Sequence, residues 1–382
     1  MRIGIFTDAY KPLITGVVNS VDLLRRGLEA HGHQVFIVAP SFAGYTDVET
    51  CVIRYPAINL PSRVPTPLAI PIAPRVFRRI AALRLDVIHS QHPFAVGRAA
   101  AAIAARLDLP LVYTFHTQYE QYAHYVPLHP ALVRWAVRRM VATYASHCDV
   151  VVTPGPSIVG LLRSYGIHQP VEIVHNGIDL SMFERARPGD LRARLGIPAA
   201  APVAIYAGRL ALEKNLEFLL ASFRLAAEIV PEAQLLLVGE GADLDRLRRL
   251  AAAAELAGRV RFTGAVPYAD IPAYYAASDV FVMTSLTEVR PLAIIEAMAA
   301  GLPVVALDAP GAADTVTAGM DGLLAPPDTA DFAAALARVM REGDLRRALG
   351  ANARAAARQY SFLTTSRRLA DIYASAVEAR RH

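Results

Sequence analysis

Cysteine is nearly missing from these 382 residues; only Cys51 and Cys148 occur. Two thiols with neither metal-ligand spacing nor partners in a Cys-rich pattern exclude a disulfide framework and fit a reducing cytoplasm. Tryptophan is rarer still, with Trp135 alone. Charged residues are only 19% of the chain against 54% apolar, a balance that excludes intrinsic disorder. No apolar run reaches the length needed to span a bilayer. The N-terminus, MRIGIFTDAY, lacks the charged start and long apolar core of a signal peptide and reads as a first strand. Internal repeats and low-complexity tails are missing too, since alanine-rich stretches such as AAAIAAR are helix filler.

What is present is length, alternation and an uneven charge. A chain of 382 residues exceeds one ordinary core and predicts two domains. Residues 1–175 hold 16 Lys/Arg against 10 Asp/Glu, a balance of +6, while the remainder holds 23 against 24, a balance of −1. A basic half points to an anionic partner, although arginines scattered on solvated helix faces give the same count. No nucleic-acid-binding module accompanies it, so no nucleic-acid partner is expected.

Strand and helix patterns alternate throughout. RIGIFTD, HQVFIVAP, LDVIHSQ, LPLVYTFHT, CDVVVTP and VEIVHNG read as one series of strands. PVAIYAG, AQLLLVGEG, RVRFTGAV, DVFVMTS, LPVVALD and GLLAPP read as a second. Between them lie helical stretches such as residues 20–31, with Val21, Leu23, Leu24 and Leu28 at helical spacing. Strands separated by helices form parallel sheets covered on both faces. The expected class is α/β, with two Rossmann-like doubly wound domains facing a cleft. Residues 1–175 form the first, 176–199 a turn-rich hinge, and 200–360 the second. The last helix, within 361–382, has no strand after it and is expected to pack back on the first domain.

The most informative stretch is SLTEVRPLAIIEAMAAG, where Glu288 and Glu296 stand eight residues apart. SDVFVMTSL before it reads as a buried strand entering a turn. Pro291 suits a helix start, Leu292 to Ala300 are strong helix formers, and Gly301-Leu-Pro303 ends the run. One carboxylate therefore sits at a strand's carboxyl end and the other a turn or so into the next helix. In an open parallel sheet that is where ligands bind, beside a helix N-terminus that favours anions. Two acceptor-only groups at an anion site suit a ligand with both phosphates and hydroxyls, such as a sugar nucleotide. On spacing alone, a solvated Glu288 and a capping Glu296 explain the pair equally well.

Gly208-Arg209 and, five residues on, Lys214 follow the first strand of the second series. The glycine permits a turn close to a ligand, and the two cations can reach one diphosphate. VGEGADLD begins like a dinucleotide fingerprint with Gly239 and Gly241, but Leu244 occupies the third glycine's place, which weakens a nicotinamide reading. Asp243 and Asp245 resemble a metal pair, yet both fall at a helix start where aspartate favours the dipole, and no His or Cys stands nearby.

In the first domain, Asp8 and Gly16 follow the first strand, where a glycine allows close approach of backbone to phosphate. His116 follows the apolar strand LVYTF. The stretch HTQYEQYAHYVP then gathers Tyr119, Glu120, His124 and Tyr125. Glu120 and His124 are both candidates to orient an acceptor hydroxyl. The next helix, PALVRWAVRRMVATYAS, mixes Arg134, Arg138 and Arg139 with Trp135 and aliphatics, as in helices that lie on anionic membranes. Residues 59–84, proline-rich and carrying Arg75, Arg78 and Arg79, extend this basic surface.

In their order, GVVNSVDLLRRGLEAHGHQV, HNGID, YAGRLALEKN, LVGEG, VRFTGAV and TEVRPLAIIEAMAAGLPVVA resemble the retaining glycosyltransferases of GT-B fold with a Glu, seven residues, Glu signature. The segment around His116 resembles that of bacterial diacylglycerol glucosyltransferases. The resemblance implies that Arg209 and Lys214 hold the donor diphosphate, that Glu296 binds ribose hydroxyls, and that Glu288 and His116 contact the transferred sugar. Gly16, Val266 and Leu292 join the donor site by the same resemblance, and Asp8, Tyr119, Glu120 and His124 the acceptor side. It further implies metal independence and no cofactor beyond the nucleotide sugar, which is expected to be UDP-glucose. The expected reaction moves glucose, with retention, to a lipid such as diacylglycerol, by a protein peripheral on the inner face of the cell membrane. Mannosyl or other hexosyl transfer to phosphatidylinositol-type, polyisoprenoid or soluble glycan acceptors is the alternative; a nicotinamide-dependent oxidoreductase is the alternative of another class. Val289-Arg290-Pro291 departs from the family, which often has a small or aromatic residue and then glycine after the first Glu. Proline offers no backbone N–H there.

Overall fold

The computed structural model describes residues 1–13, 15–58, 67–70, 73–121 and 128–381. They form two compact units, Met1–Gly177 with Phe362–His382, and Ile178–Ser361.

In unit 1 the chain runs through β1 (Arg2–Phe6), α1 (Gly16–Ala30), β2 (Gln34–Pro40), β3 (Val52–Tyr55), a small ribbon of β4 (Ala57–Ile58) and β5 (Leu68–Ala69), and α2 (Pro74–Ala82). It continues through β6 (Val87–Ser90), α3 (Ala95–Leu107), β7 (Leu111–Thr114), α4 (Pro130–Ala145), β8 (Val150–Thr153), α5 (Ser157–Ser164) and β9 (Val171–Ile173). Seven of these strands form one parallel sheet in the order β3-β2-β1-β6-β7-β8-β9. Its central strands are apolar on both faces because helices cover both, so Ile3, Ile5, Val87 and Val112 are all buried. The order reverses direction between β1 and β6, which opens a crevice at their carboxyl ends.

In unit 2, α6 (Leu180–Glu184) and α7 (Leu191–Arg194) precede β10 (Val203–Ala207), α8 (Leu216–Ile229), β11 (Gln234–Val238), α9 (Leu244–Ala253) and β12 (Val260–Phe262). Then come α10 (Ile271–Ala276), β13 (Val280–Met283), α11 (Leu292–Ala300), β14 (Val304–Leu307), β15 (Gly322–Ala325), α12 (Thr329–Arg341) and α13 (Gly343–Ala357). Six parallel strands take the order β12-β11-β10-β13-β14-β15, with the reversal between β10 and β13. Residues 178–199 are built into this unit. Phe183 packs its ring 5.9 Å from that of Tyr275, and Arg192 bonds Asp279 at 2.7 Å.

The last helix, α14 (Phe362–Arg381), folds onto unit 1. Gly27 on α1 lies where any side chain would collide with Ser366, so the two helices pack backbone to backbone. Leu369, Ile372 and Tyr373 of α14 enter the core formed by Val18, Val21 and Leu28. Each strand read from the sequence is found. The β4–β5 ribbon and α2 escaped that reading, as did two further features. Helix α1 begins at Gly16 rather than near residue 20, because the Thr15 hydroxyl caps it by accepting from the Val18 N–H at 3.2 Å. The edge strand β3 has an arginine in its middle; Arg54 bonds Asp47 and the Pro40 and Lys11 carbonyls, so its charge is satisfied at the sheet edge.

Candidate active site

In unit 2 the loops after β10 and β13 flank the reversal point, and they carry the residues singled out by sequence. Arg209 and Lys214 lie on the first, Glu288 on the second. Lys214 Nζ is 2.5 Å from Glu288 Oε1, and each side chain is 17% exposed. Arg209, more open to solvent, pairs with Glu213 at 2.7 Å. Side chains stitch the loops together. The Thr284 hydroxyl donates to the Lys214 carbonyl at 3.1 Å, Ser285 to the Glu213 carbonyl at 3.1 Å, and Asn215 Nδ2 to the Thr284 carbonyl at 3.2 Å. Burial would raise the Glu288 carboxyl, but the Lys214 ammonium, hydrogen bonds from Lys214 and Ser285, and the Arg209 charge together hold it below its ordinary range. The loop pair thus fixes one ionised carboxylate among two cations.

Glu296 is placed differently. It lies on the second turn of α11, only 6% exposed, and the Tyr268 and Tyr275 hydroxyls donate to its two oxygens at 2.9 and 3.1 Å. Burial raises its pKa to about 6, and the two tyrosine bonds restrain that rise. Each carboxylate oxygen keeps acceptor capacity for a further hydroxyl. The tyrosines were not anticipated; their only signal was the tyrosine-rich run PYADIPAYY before β13. Val266 and Leu292 are half-buried against the same core.

The unusual Val-Arg-Pro segment has a structural role. Pro291 occupies the N-cap of α11 with φ −74°, and the helix opens at Leu292. Arg290 turns inward, donating to the Tyr360 hydroxyl at 3.1 Å and the Asp314 carbonyl at 2.6 Å, with its guanidinium over the Tyr360 ring. Gly239 and Gly241 have their own explanation. Gly208 and Leu210 donate to Val238 and Glu240 carbonyls at 2.9 Å, so the loops after β10 and β11 run side by side. A Cβ at Gly239 or Gly241 would overlap the Gly208 or Leu210 carbonyl. These glycines therefore serve loop packing. Asp243 bonds Arg246 at 2.6 Å, and among the described residues no group of three metal-ligating side chains occurs.

In unit 1 the crevice between β1 and β6 gathers Asp8, His92, Gln91 and His116 near the strand ends. Asp8 is buried and accepts from the Val96 N–H at 3.0 Å, capping α3; burial lifts its pKa to about 6 against main-chain bonds from Val96 and Gly97. His116 Nε2 lies 2.6 Å from Gln91 Oε1. Gln91 Nε2 is 3.1 Å from His89 Nδ1, the Tyr373 hydroxyl of α14 lies 2.6 Å from the same nitrogen, and His89 Nε2 reaches Thr114 Oγ1 at 2.7 Å. Burial depresses the histidines, His89 and His92 to about 3 and His116 to about 4, so all are neutral at pH 7. Since an amide oxygen only accepts, the chain of bonds puts the His116 proton on Nε2 and leaves Nδ1 as an acceptor. Sequence reading found His116 but missed the set behind it, whose trace was HSQH at a strand end.

The remaining candidates separate. Gly16 is exposed at the first turn of α1. Tyr119 packs its ring edge-on to Phe94 at 5.0 Å. Glu120 and Arg138, read as acceptor-side and membrane-side groups, pair with each other: Arg138 Nε is 2.6 Å from the buried Glu120 carboxylate. His124 lies outside the described residues. Helix α4 exposes Arg134, Trp135, Arg138 and Arg139, and Leu132 and Leu128 add apolar surface beside them. Arg75, Arg78 and Arg79 are exposed on α2. No described helix is long and apolar enough to cross a membrane.

Comparison with known proteins matches residues 189–356 to the model for glycosyl transferases group 1 and residues 14–182 to that for glycosyltransferase family 4. The α-monoglucosyldiacylglycerol synthase of Streptococcus pneumoniae is 31% identical over 80% of this chain and 71% of its own. A GDP-mannose-dependent α-mannosyltransferase of Corynebacterium glutamicum is 29% identical over 87% of this chain and 78% of its own. Among solved structures, Anabaena HepE in complex with UDP and glucose superposes with a TM-score of 0.80 at 20% identity, covering 98% of this chain and 100% of that one.

Proposed function

The chain belongs to the group 1 glycosyltransferases, and from that premise we propose that it transfers glucose from UDP-glucose to the hydroxyl of a lipid such as diacylglycerol, with retention at the anomeric carbon. The observation that carries the donor half is the Lys214–Glu288 pair at the β10/β13 reversal, with Arg209 beside it and Glu296 in the helix that follows. An ammonium has three donors, so Lys214 can hold Glu288 and a diphosphate oxygen together. Arg209 and Lys214 stabilise the charge that develops on the leaving diphosphate, the part a divalent cation plays elsewhere. Glu296 accepts from ribose hydroxyls. Glu288 accepts from sugar hydroxyls and fixes the ring, and in unit 1 the Nδ1 lone pair of His116 offers an acceptor of the same kind.

Retention then follows a front-face displacement. The acceptor oxygen bonds to the anomeric carbon as the diphosphate oxygen leaves, and the departing phosphate takes the acceptor's proton. The protein supplies orientation and charge rather than a covalent nucleophile. Diacylglycerol is favoured as acceptor by the 31% identity to a glucosyldiacylglycerol synthase and by the basic, Trp-bearing face of α4, which we assign to an anionic membrane surface. Transfer assays with mass readout test this, pairing UDP-glucose and GDP-mannose with diacylglycerol, phosphatidylinositol and a soluble glycan. Glucosyl-diacylglycerol formed equally with and without EDTA is the expected product. Mannosyl transfer, or transfer confined to the soluble glycan, overturns the assignment.

A further inference from the structure

Helices α3 and α4 leave a groove of about 830 Å³ between them, within the range of roughly 300–1,000 Å³ typical of small-molecule sites. Its floor is Ala101, Ala105 and Ala136, and Trp135, itself 61% exposed, forms a wall. The Tyr144 hydroxyl at its base is already spent on the Gly97 carbonyl at 3.0 Å. Arg98 and Arg139 line the rim, and neither has an ion-pair partner among the described residues. Arg380 closes one end, held by Asp108 at 2.9 Å and Asp149 at 3.2 Å. Among the described residues no carboxylate lines the groove itself.

We propose that this groove binds a single anionic phospholipid, its acyl chain along the alanine floor and its phosphate between Arg98 and Arg139. The proposal rests on the assignment of α4 to a membrane surface and deepens it from adsorption to a defined lipid site. The chemistry selects this occupant. Beyond the arginines and the spent Tyr144 hydroxyl, only Thr143 and His147 among the described lining residues are polar, too few partners for the main-chain N–H and C=O groups of a peptide. A second copy of the chain would bring the same arginines and meet like charge. A free phosphate would leave the apolar floor wet, whereas each buried methylene contributes about 0.8 kcal/mol.

Trp135 is the only tryptophan, so its emission reports on the groove directly. Dioctanoyl phosphatidylglycerol below its critical micelle concentration is expected to give a saturable blue shift. Glycerol phosphate should give none, and dioctanoyl phosphatidylcholine at least tenfold weaker binding. Ala101→Phe, which plugs the floor, and Arg98→Glu, which reverses the rim, should each weaken the response at least tenfold. Circular dichroism of both variants establishes that they fold, and Arg98 is exposed enough for its replacement to be tolerated. No shift with monomeric lipid, or one unchanged in the two variants, overturns the site. Flotation on anionic vesicles separates the two readings: binding there without a monomer response sinks the groove alone, and failure of both sinks the membrane assignment as well.

Discussion

Lys214 stands 2.5 Å from Glu288 at the strand reversal of unit 2, and its ammonium has the most direct task in the proposed chemistry. Lys214→Ala is expected to lower kcat by about 10²–10³-fold, the usual loss for one electrostatic transition-state contact, in steady-state transfer assays. A loss under threefold would remove Lys214 from the mechanism. Glu296 makes a finer prediction, because burial raises its pKa to about 6. Ionised, it is the stronger acceptor in its proposed contact with ribose hydroxyls, so UDP affinity measured by titration calorimetry should fall as pH drops through about 6. Tyr268→Phe removes a hydrogen bond to the ionised form and should move that midpoint to higher pH. A midpoint that stays put, or moves down, would separate Tyr268 from the titration. Gln91 is a positioning residue: Gln91→Leu frees the His116 ring and should raise KM for the donor more than it lowers kcat.

At the scale of elements, the loops after β10, β11 and β13 form one braced platform, and glycine makes the bracing possible. Gly239 has φ +138°, and a Cβ there would overlap the Gly208 carbonyl. Gly239→Ala should cost at least about 2 kcal/mol, read as a lowered midpoint in thermal melts of unit 2. Much of this level was legible in the sequence. Leu292 to Ala300, bounded by Pro291 and Gly301, is the observed α11, because the cap and the stop are local signals. The parallel strands were legible because burial on both faces makes them continuous apolar runs. Contacts distant in sequence were not. Tyr268 and Tyr275 meet Glu296 only after α10 and β13 are placed, and Tyr373 reaches His89 across 284 residues. Glu120 and Arg138 were singled out separately, as acceptor-side and membrane-side groups, and their pairing depends on the packing of α4, which no spacing shows. Arg290, in the segment that departs from the family pattern, likewise bonds Tyr360 across 70 residues, a contact that spacing does not show.

At the scale of the whole chain, the buried histidines of unit 1 set a pH dependence. His89, His92 and His116 have folded pKa values depressed to about 3–4, against about 6.5 when unfolded. Below pH 6.5 the unfolded chain therefore binds protons that the fold refuses, and stability falls as pH falls. Asp8 and Glu296, both raised to about 6, take up protons in the folded state and oppose this, but they are two groups against three. The melting midpoint followed by Trp135 fluorescence should drop between pH 7 and pH 5; a rise would contradict neutral, buried histidines. The central claim, that the chain moves glucose to a lipid hydroxyl with retention, is tested most directly by the anomeric NMR signal of the product. UDP-glucose and diacylglycerol in mixed micelles should yield an α-linked glucolipid in the presence of EDTA, and Lys214→Ala should abolish it. A β-linked product, or release of free glucose and UDP with no glycolipid, would contradict the account.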